Sequence, residues 1–445
     1  MGQPKKEGSI KLLLPIGVFV VLYLGLGILF EYGLKIQMGF YNIPIVVIFM
    51  VSLMVACIQN RKLSFDTLLE IMAKGVGDKN IITMILIFMT AGIFVGVVGR
   101  SSAESVAYLL LSVIPTNYAV VVLFVVAAFV SLSMGTSVGT ITLIAPVAVA
   151  VAQTSGFSVT LCVGAVVGGA MFGDNLSFIS DTTIAACNGQ GCRMKDKFKE
   201  NIGIALPAAI LSIVIFFVLS YRTGGMEVIN HEYNLILIIP YVIVLIGGII
   251  GFNVFRVLIV GIVIGGIIVL ATGTTSATDL FSNMGSGVSG MFETSMVAIL
   301  VSAICAIIEY QGGFAALLRL FGKIFKGNKG GQLGMGLLVG VMDIATANNT
   351  VAIVMANPIA KDMSENYDIT PRRAASILDT FSCVFQGVIP YGAQMLVALS
   401  IVTEMGYSVS AFDIMPKLVY PYILLLSCLV QIFMQKKCKK TKQDA

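Results

Sequence analysis

Two carboxylates, four hydroxyls and a carboxamide fall within eleven residues of an otherwise apolar stretch: Gly173-Asp174-Asn175-Leu176-Ser177-Phe178-Ile179-Ser180-Asp181-Thr182-Thr183. Oxygen donors of this kind suit hard cations and protons. A helix end needs one such residue as a cap; this segment supplies seven polar ones. A second cluster is Met342-Asp343-Ile344-Ala345-Thr346-Ala347-Asn348-Asn349-Thr350. Its Asn and Thr side chains can satisfy a turn of backbone, but Asp343 exceeds what a turn requires. A matching stretch from Ser133 to Thr140 carries Thr136 and Ser137 and no charge. A third cluster holds Asp379, Thr380 and Gln386, followed by Pro390 and Gly392. Ionisable groups inside a span cost about 2.5–3.5 kcal/mol each on insertion scales, which makes them functional candidates. Asp174 and Asp181 are the candidate cation ligands, and no cofactor beyond a coupling ion is expected.

These clusters sit in a membrane protein. Of 445 residues 57% are hydrophobic and 11% charged, against about 25% charged in soluble domains. Apolar runs of about 20 residues recur along the chain, each long enough to cross a bilayer core. Full spans are predicted near 12–30, 39–58, 80–99, 158–187, 201–221, 233–250, 254–271, 292–310, 374–404 and 415–434. Lys5, Lys6 and Lys11 precede the first run, which reads as a retained span rather than a cleavable signal. The stretches 118–153 and 331–361 are too long for one crossing and too short for two. Each is broken by a polar cluster, so each reads as a re-entrant hairpin whose tip lies in a cavity or within protein. The stretches 63–76 and 100–113 are amphipathic and suit the interface plane or a scaffold.

Charge decides between the topologies. With ten crossings and two hairpins, 24 of the 28 Lys and Arg residues face the cytoplasm, as do both termini. A single crossing over 118–153 would put the Arg193–Lys199 cluster outside, against the positive-inside rule. The expected location is the inner cell membrane.

One offset relates the two hairpins. Pro146 pairs with Pro358, Ser64 with Ser276, Gly75-Val76 with Gly287-Val288, and Met84 with Met296, all 212 residues apart. The same shift matches an amphipathic segment, a span, another amphipathic segment, a hairpin and a broken span. The fold expected is an all-α polytopic membrane protein with two repeats, 61–200 and 273–405. Spans before 60 and from 201 to 272 flank the first repeat, and a last span with a basic tail follows from 406. Five crossings separate the starts of the repeats, so they are expected to be inverted, with sites near the midplane.

The segment Gly173–Thr183 resembles the NhaC family of sodium/proton antiporters. That family carries a pattern like Gly-Asp-Lys-x-Ser-Pro-x-Ser-Asp-Thr-Thr, matched here by Gly173, Asp174, Ser177, Ser180, Asp181, Thr182 and Thr183. Asn175 stands where the pattern has Lys, and Phe178 where it has Pro. The resemblance implies alternating-access exchange of Na⁺ and H⁺. The family's divergent members extend the expectation to organic acids and amino acids. The symmetric half-site would use Asp343, Thr346, Asn348, Asn349, Asp379, Thr380 and Gln386.

Other classes find less in the sequence. The net charge of +5 comes from short loops and does not indicate nucleic acid. Cys187 and Cys192 flank a turn, but no further thiol or His stands near to complete a metal set. An enzyme would need a catalytic constellation, and none is legible. A channel would be separated from a carrier by saturable counterflow. The expected partners are a small ion or solute, membrane lipids and a second copy of the chain.

Overall fold

In hydrocarbon every backbone N–H and C=O must be satisfied within the protein, so apolar runs of 20 residues become helices. The computed structural model describes residues 8–36, 44–178, 180–223, 233–250 and 252–434, and every regular element among them is helical. The first helices are α1 (Leu14–Ile28) and α2 (Ile45–Gln59), followed by α3 (Phe65–Val76) and α4 (Lys79–Val113), which is interrupted at Gly99. Next come α5 (Ala119–Met134), α6 (Ser137–Ser155), α7 (Val159–Leu176) and α8 (Asp181–Gln190). The middle of the chain forms α9 (Met194–Thr223), α10 (Leu235–Ile250) and α11 (Val254–Ala271). Then follow α12 (Ala277–Gly290), α13 (Phe292–Tyr310), α14 (Gly313–Ile324), α15 (Gly327–Thr346) and α16 (Asn349–Asn366). The last are α17 (Pro371–Val388), α18 (Ala393–Glu404), the short α19 (Ala411–Ile414) and α20 (Val419–Met434). Among the described residues nine helical segments are long and apolar enough to cross a membrane, or ten with the bent pair Ala411–Lys417 and Val419–Met434.

The interrupted stretches are helix pairs. Residues 118–153 form α5 and α6, which meet at Gly135-Thr136; residues 331–361 fall in α15 and α16, which meet at Ala347-Asn348. Thr116–Met134 and Ser137–Ser155 are each long enough to span by themselves. The two broken spans part at residues 177–180 and 389–392.

The 212-residue offset recurs in the element bounds. It carries Val159–Leu176 of α7 onto Pro371–Val388 of α17, and the starts of α3, α6 and α8 onto those of α12, α16 and α18. Ser64 caps α3 by accepting from Thr67 N at 3.2 Å, and Ser276 caps α12 by accepting from Asp279 N at 3.1 Å. The two halves also interlock: α3 packs on α13, and α12 on α4. At the second crossing a Cβ on Gly287 would stand 2.0 Å from the carbonyl oxygen of Gly92, so only glycine permits it.

The core lies around α5, α6, α7, α15, α17 and α20. α1, α10 and α11 bury one stripe and expose large aliphatic side chains such as Val21, Ile246 and Ile267. Two residues counted from the sequence as loop charges are corrected. The Arg193–Lys199 cluster is not a loop: α9 begins at Met194, and Lys197 is buried on its inner face. Arg373 is also buried, bonded to Gln332 Oε1 at 2.9 Å, Gln431 Oε1 at 3.1 Å and Glu200 Oε1 at 3.3 Å. Both stand one turn before an apolar run, where a helix already has a buried face. His231 and the basic tail lie outside the described residues.

Both hairpin tips turn through left-handed backbone, at Gly135 (φ 68°) and Ala347 (φ 48°). An L-residue there costs about 1–2 kcal/mol. Ala347→Gly is therefore expected to stabilise the protein by about 1 kcal/mol, and Gly135→Ala to destabilise it by about as much. Thermal unfolding in detergent checks both.

Candidate functional site

Four interruptions of helix converge on one buried network. At the first hairpin tip Thr136 caps α6, accepting from Gly139 N at 3.4 Å, which turns the next residue, Ser137, inward. Ser137 Oγ donates to Asp174 Oδ2 at 2.7 Å. Asp174 is in the last turn of α7, buried, and its other oxygen accepts from Ser180 Oγ. Ser180 caps α8 across the break, accepting from Thr182 N and lying 2.8 Å from Thr182 Oγ1. Ser177 donates to the Leu132 carbonyl at 2.8 Å, tying the break to α5. Close packing holds Asp174 in place, since Gly173 meets the α5 backbone at Ala128 and Leu132.

The second half joins through two carboxamides. Gln394, in the first turn of α18, donates from Nε2 to Ser137 Oγ at 3.0 Å. Gln386 Nε2 donates to Gln394 Oε1 at 3.0 Å and to the Ala347 carbonyl at 2.9 Å. A continuous chain of hydrogen bonds therefore runs from the α7–α8 break through the first tip and the α17–α18 break to the second tip. Under the 212-residue offset Asp174 corresponds to Gln386 and Ser137 to Asn349.

A polar stripe on α17 completes the site. Asp379, Ser382 and Gln386 lie at i, i+3 and i+7, one helix face. Ser382 Oγ donates to Asp343 Oδ1 at 3.2 Å. Under the 212-residue offset the same positions are Ser131 and Ala170, where Ser131 Oγ donates to the Ala170 carbonyl at 2.6 Å. Asp343 is thus a carboxylate placed where its counterpart needs only a hydroxyl. Asp379 Oδ2 pairs with the ammonium of Lys197 and accepts from Asn175 Nδ2 at 3.2 Å. Lys197 also donates to the Asn175 carbonyl at 2.6 Å and to Thr183 Oγ1 at 2.9 Å. Asn201, one turn further along α9, binds Asn175 Oδ1 at 2.7 Å and accepts from Ser376 and Thr380 at 2.8 and 2.9 Å. Three buried oxygens here have no hydrogen-bond partner: Asp343 Oδ2, Asp379 Oδ1 and Gln386 Oε1.

Most of the residues singled out from the sequence meet in this network, and some do not. Asp181 is exposed on the first turn of α8 and stands apart from Asp174. The extended backbone at Ser177 and Ser180 redirects the chain between them. Thr346 and Asn348 stabilise the second tip, Thr346 donating to the Met342 carbonyl at 2.9 Å and Asn348 capping α16 by accepting from Val351 N at 3.0 Å. Asn349 accepts from Thr350 N at 3.0 Å and is half-buried. Cys187 and Cys192 are both free, and no group of three or more His, Cys, Asp or Glu residues that could hold a metal occurs among the described residues. Sequence reasoning passed over Lys197, Asn201 and Gln394. For Lys197 and Asn201 a signal was present: their i, i+4 spacing puts both on one face of a helix that runs on into an apolar span.

One cavity reaches the second tip, and another lies between α4 and α12. The first, of about 390 Å³, runs between α3 and α13 past Lys74, Asp78 and Glu309 to Thr346 and Asn348. The other, of about 330 Å³, is lined by Gly99, Pro146, Asn283, Ser286 and Glu404. The offset maps Ile71 and Lys74 of the first onto Asn283 and Ser286 of the second.

Comparison with known proteins gives the chain a family. The model of the Na⁺/H⁺ antiporter family matches residues 9–221 and 227–435. The chain is similar to the Na⁺/H⁺ antiporter NhaC of Bacillus subtilis, with 24% identity over 72% of this chain and 78% of that one. It is also similar to the malate-2H⁺/Na⁺-lactate antiporter of Bacillus subtilis, with 23% identity over 49% of this chain and 44% of that protein's length. A third relative is the arginine/ornithine antiporter ArcD of Halobacterium salinarum, with 23% identity over 54% of this chain and 56% of that one.

Proposed function

The chain belongs to the Na⁺/H⁺ antiporter family, and from that premise we propose that it exchanges Na⁺ and H⁺ by alternating access at the buried carboxylates. The observation that carries this is the unbroken hydrogen-bonded chain from Asp174 through Ser137, Gln394 and Gln386 to the Ala347 carbonyl. It links both helix breaks and both hairpin tips, so occupancy at one carboxylate is felt at every mobile end. An ionised carboxylate at low dielectric is costly when bare. A proton and a Na⁺ compete for it, and that competition couples the two fluxes. Two inverted repeats, a cell-membrane location with cytoplasmic termini, and lipid against the exposed aliphatic faces of α1, α10 and α11 belong to the same reading. Purified protein in liposomes is expected to show Na⁺-driven proton flux. Asp174→Asn is expected to abolish that flux while keeping the wild-type elution volume and melting temperature. Flux at the wild-type rate in Asp174→Asn would overturn the assignment.

One observation favours a second cargo. A cavity of about 390 Å³ is in the range of small-molecule sites, and it offers a cation at Lys74 and anions at Asp78 and Glu309. A bare Na⁺ needs no such volume. An amino acid or an organic acid would use it, in line with the relatives named for malate, lactate, arginine and ornithine. Uptake or counterflow of labelled amino acids and dicarboxylates by the same liposomes separates the readings.

A further inference from the structure

The two sides of α17 meet different surroundings. Asp379, Ser382 and Gln386 face the polar network. Val384 and Val388 stand two residues on either side of Gln386, which turns them about 160° away from it. They line a cavity of about 370 Å³, together with Leu24 of α1, Ile344 of α15, Ile389 and Tyr391 of the second break, and Leu425 of α20. Every residue of its lining is apolar or aromatic. Tyr391 gives its hydroxyl to the Ile344 carbonyl at 2.8 Å, and Tyr422 gives its own to the Met415 carbonyl at 3.1 Å. A buried water makes about three hydrogen bonds to polar groups, and these walls do not offer them.

The first half packs tightly at the matching place. Gly173 lets α7 meet the α5 backbone at Ala128. The 212-residue offset turns Gly173 into Phe385 and Ala128 into Gly340, and the Phe385 ring lies 2.5 Å from where a Cβ on Gly340 would stand. The Leu132 carbonyl accepts from the short Ser177, while its offset partner, the Ile344 carbonyl, accepts from the long Tyr391. Large side chains thus take the place of backbone contact in the second half, and the space beside them stays open. Tyr391 is braced edge-on against Phe19 and Tyr23 of α1, with ring centroids 4.7 and 6.3 Å apart.

The rim of the cavity lies on the outer surface. Leu24 and Tyr422 are exposed there, and each continues an exposed stripe: Val21, Leu24 and Ile28 on α1, and Tyr422, Leu426 and Val430 on α20. Both helices belong to segments apolar enough to cross a bilayer, where acyl chains are the surrounding solvent. We propose that the cavity is a lipid site, in which one acyl chain of a membrane phospholipid enters between α1 and α20 and packs on the second helix break. An apolar space of this size left empty forfeits the dispersion contacts of its lining, and an acyl chain restores them. The break is then held from two sides, by Gln386 within the network and by lipid against Val388 and Ile389. This site is separate from the ion and solute readings and stands whatever the chain carries.

A phosphatidylcholine carrying a diazirine midway along one acyl chain tests this on the full chain in liposomes. After photolysis, adducts located by mass spectrometry are expected on Val384, Val388 and Ile389 as well as on the exposed Val21 and Ile267. Val384 and Ile389 are buried, so only a chain inside the cavity labels them. Adducts confined to exposed residues overturn the proposal. Leu24→Trp places a bulky ring at the rim, at an exposed position where substitutions are usually near neutral for folding. It is expected to cut labelling of α17 several-fold and to leave labelling of Ile267 unchanged. Equal labelling of α17 in Leu24→Trp and wild type also overturns the proposal, since the lipid would then reach the break by another way. No transport is read, so a loss of Na⁺-dependent proton flux bears on the antiport reading alone.

Discussion

Lys197→Met is expected to destabilise the protein by about 3–5 kcal/mol, the range for removing one partner of a buried ion pair. Methionine nearly matches the lysine stem in volume, so packing contributes little to the loss. The cost arises from what is left behind: the Asp379 carboxyl loses its cation at 0% exposure and Thr183 loses its donor, while the Asn175 carbonyl keeps only Asn201 Nδ2 at 2.8 Å. Adding Asp379→Asn removes the stranded charge and is expected to recover more than half of the loss. That makes the two changes strongly non-additive. Denaturant or thermal unfolding in detergent gives the four corners of the cycle. Equal stability of Lys197→Met and wild type in Na⁺-free buffer would show that the ammonium is not holding the break together.

Periodicity made the architecture legible, and the approach of one helix to another remained hidden. The helix pairs at 118–153 and 331–361, the breaks near 177 and 390, and the 212-residue offset all follow from where apolar runs stop and polar residues begin. Such signals are local, and the structure places helix ends within a few residues of them. The network is not local. Ser137 meets Gln394 across 257 residues and Lys197 meets Asp379 across 182. Residue type nominates such groups, and only packing pairs them. Lys197 shows why charge counting misplaces a residue: a lysine one turn before an apolar run counts as a loop cation unless the helix has already begun. Asp181 shows the converse. Its place in the motif nominated it beside Asp174, yet two extended serines turn it to the exposed side of α8.

The same distinction between pattern and approach makes Gly173 the most sensitive neutral position near the site. A Cβ there would stand 2.3 Å from the Ala128 carbonyl oxygen and 2.5 Å from Leu132 N, both backbone atoms of α5 that no rotamer change can move. One turn earlier Gly169 meets the Phe124 carbonyl oxygen at 2.2 Å, so α7 lies on α5 along a small-residue seam. Gly173→Ala must push the two helices apart at a point adjacent to Asp174. Overpacking of this kind costs about 1–3 kcal/mol. The functional loss is expected to be larger than that figure implies. The 2.8 Å bond from Ser177 to Leu132 crosses the interface that opens, and the 2.7 Å bond from Ser137 of α6 depends on the position of the Asp174 that is displaced. A displacement of about 1 Å in such a site can cost about 100-fold in rate. Gly17→Ala on α1, with nothing within 4 Å of its Cβ, is the control. It is expected to be neutral or to stabilise by up to about 1 kcal/mol, since alanine is the better helix former. Proton flux in liposomes and unfolding in detergent, measured on both variants, test the contrast. If Gly173→Ala behaves as Gly17→Ala does, α7 does not depend on its seam with α5, and the positioning of Asp174 needs another cause.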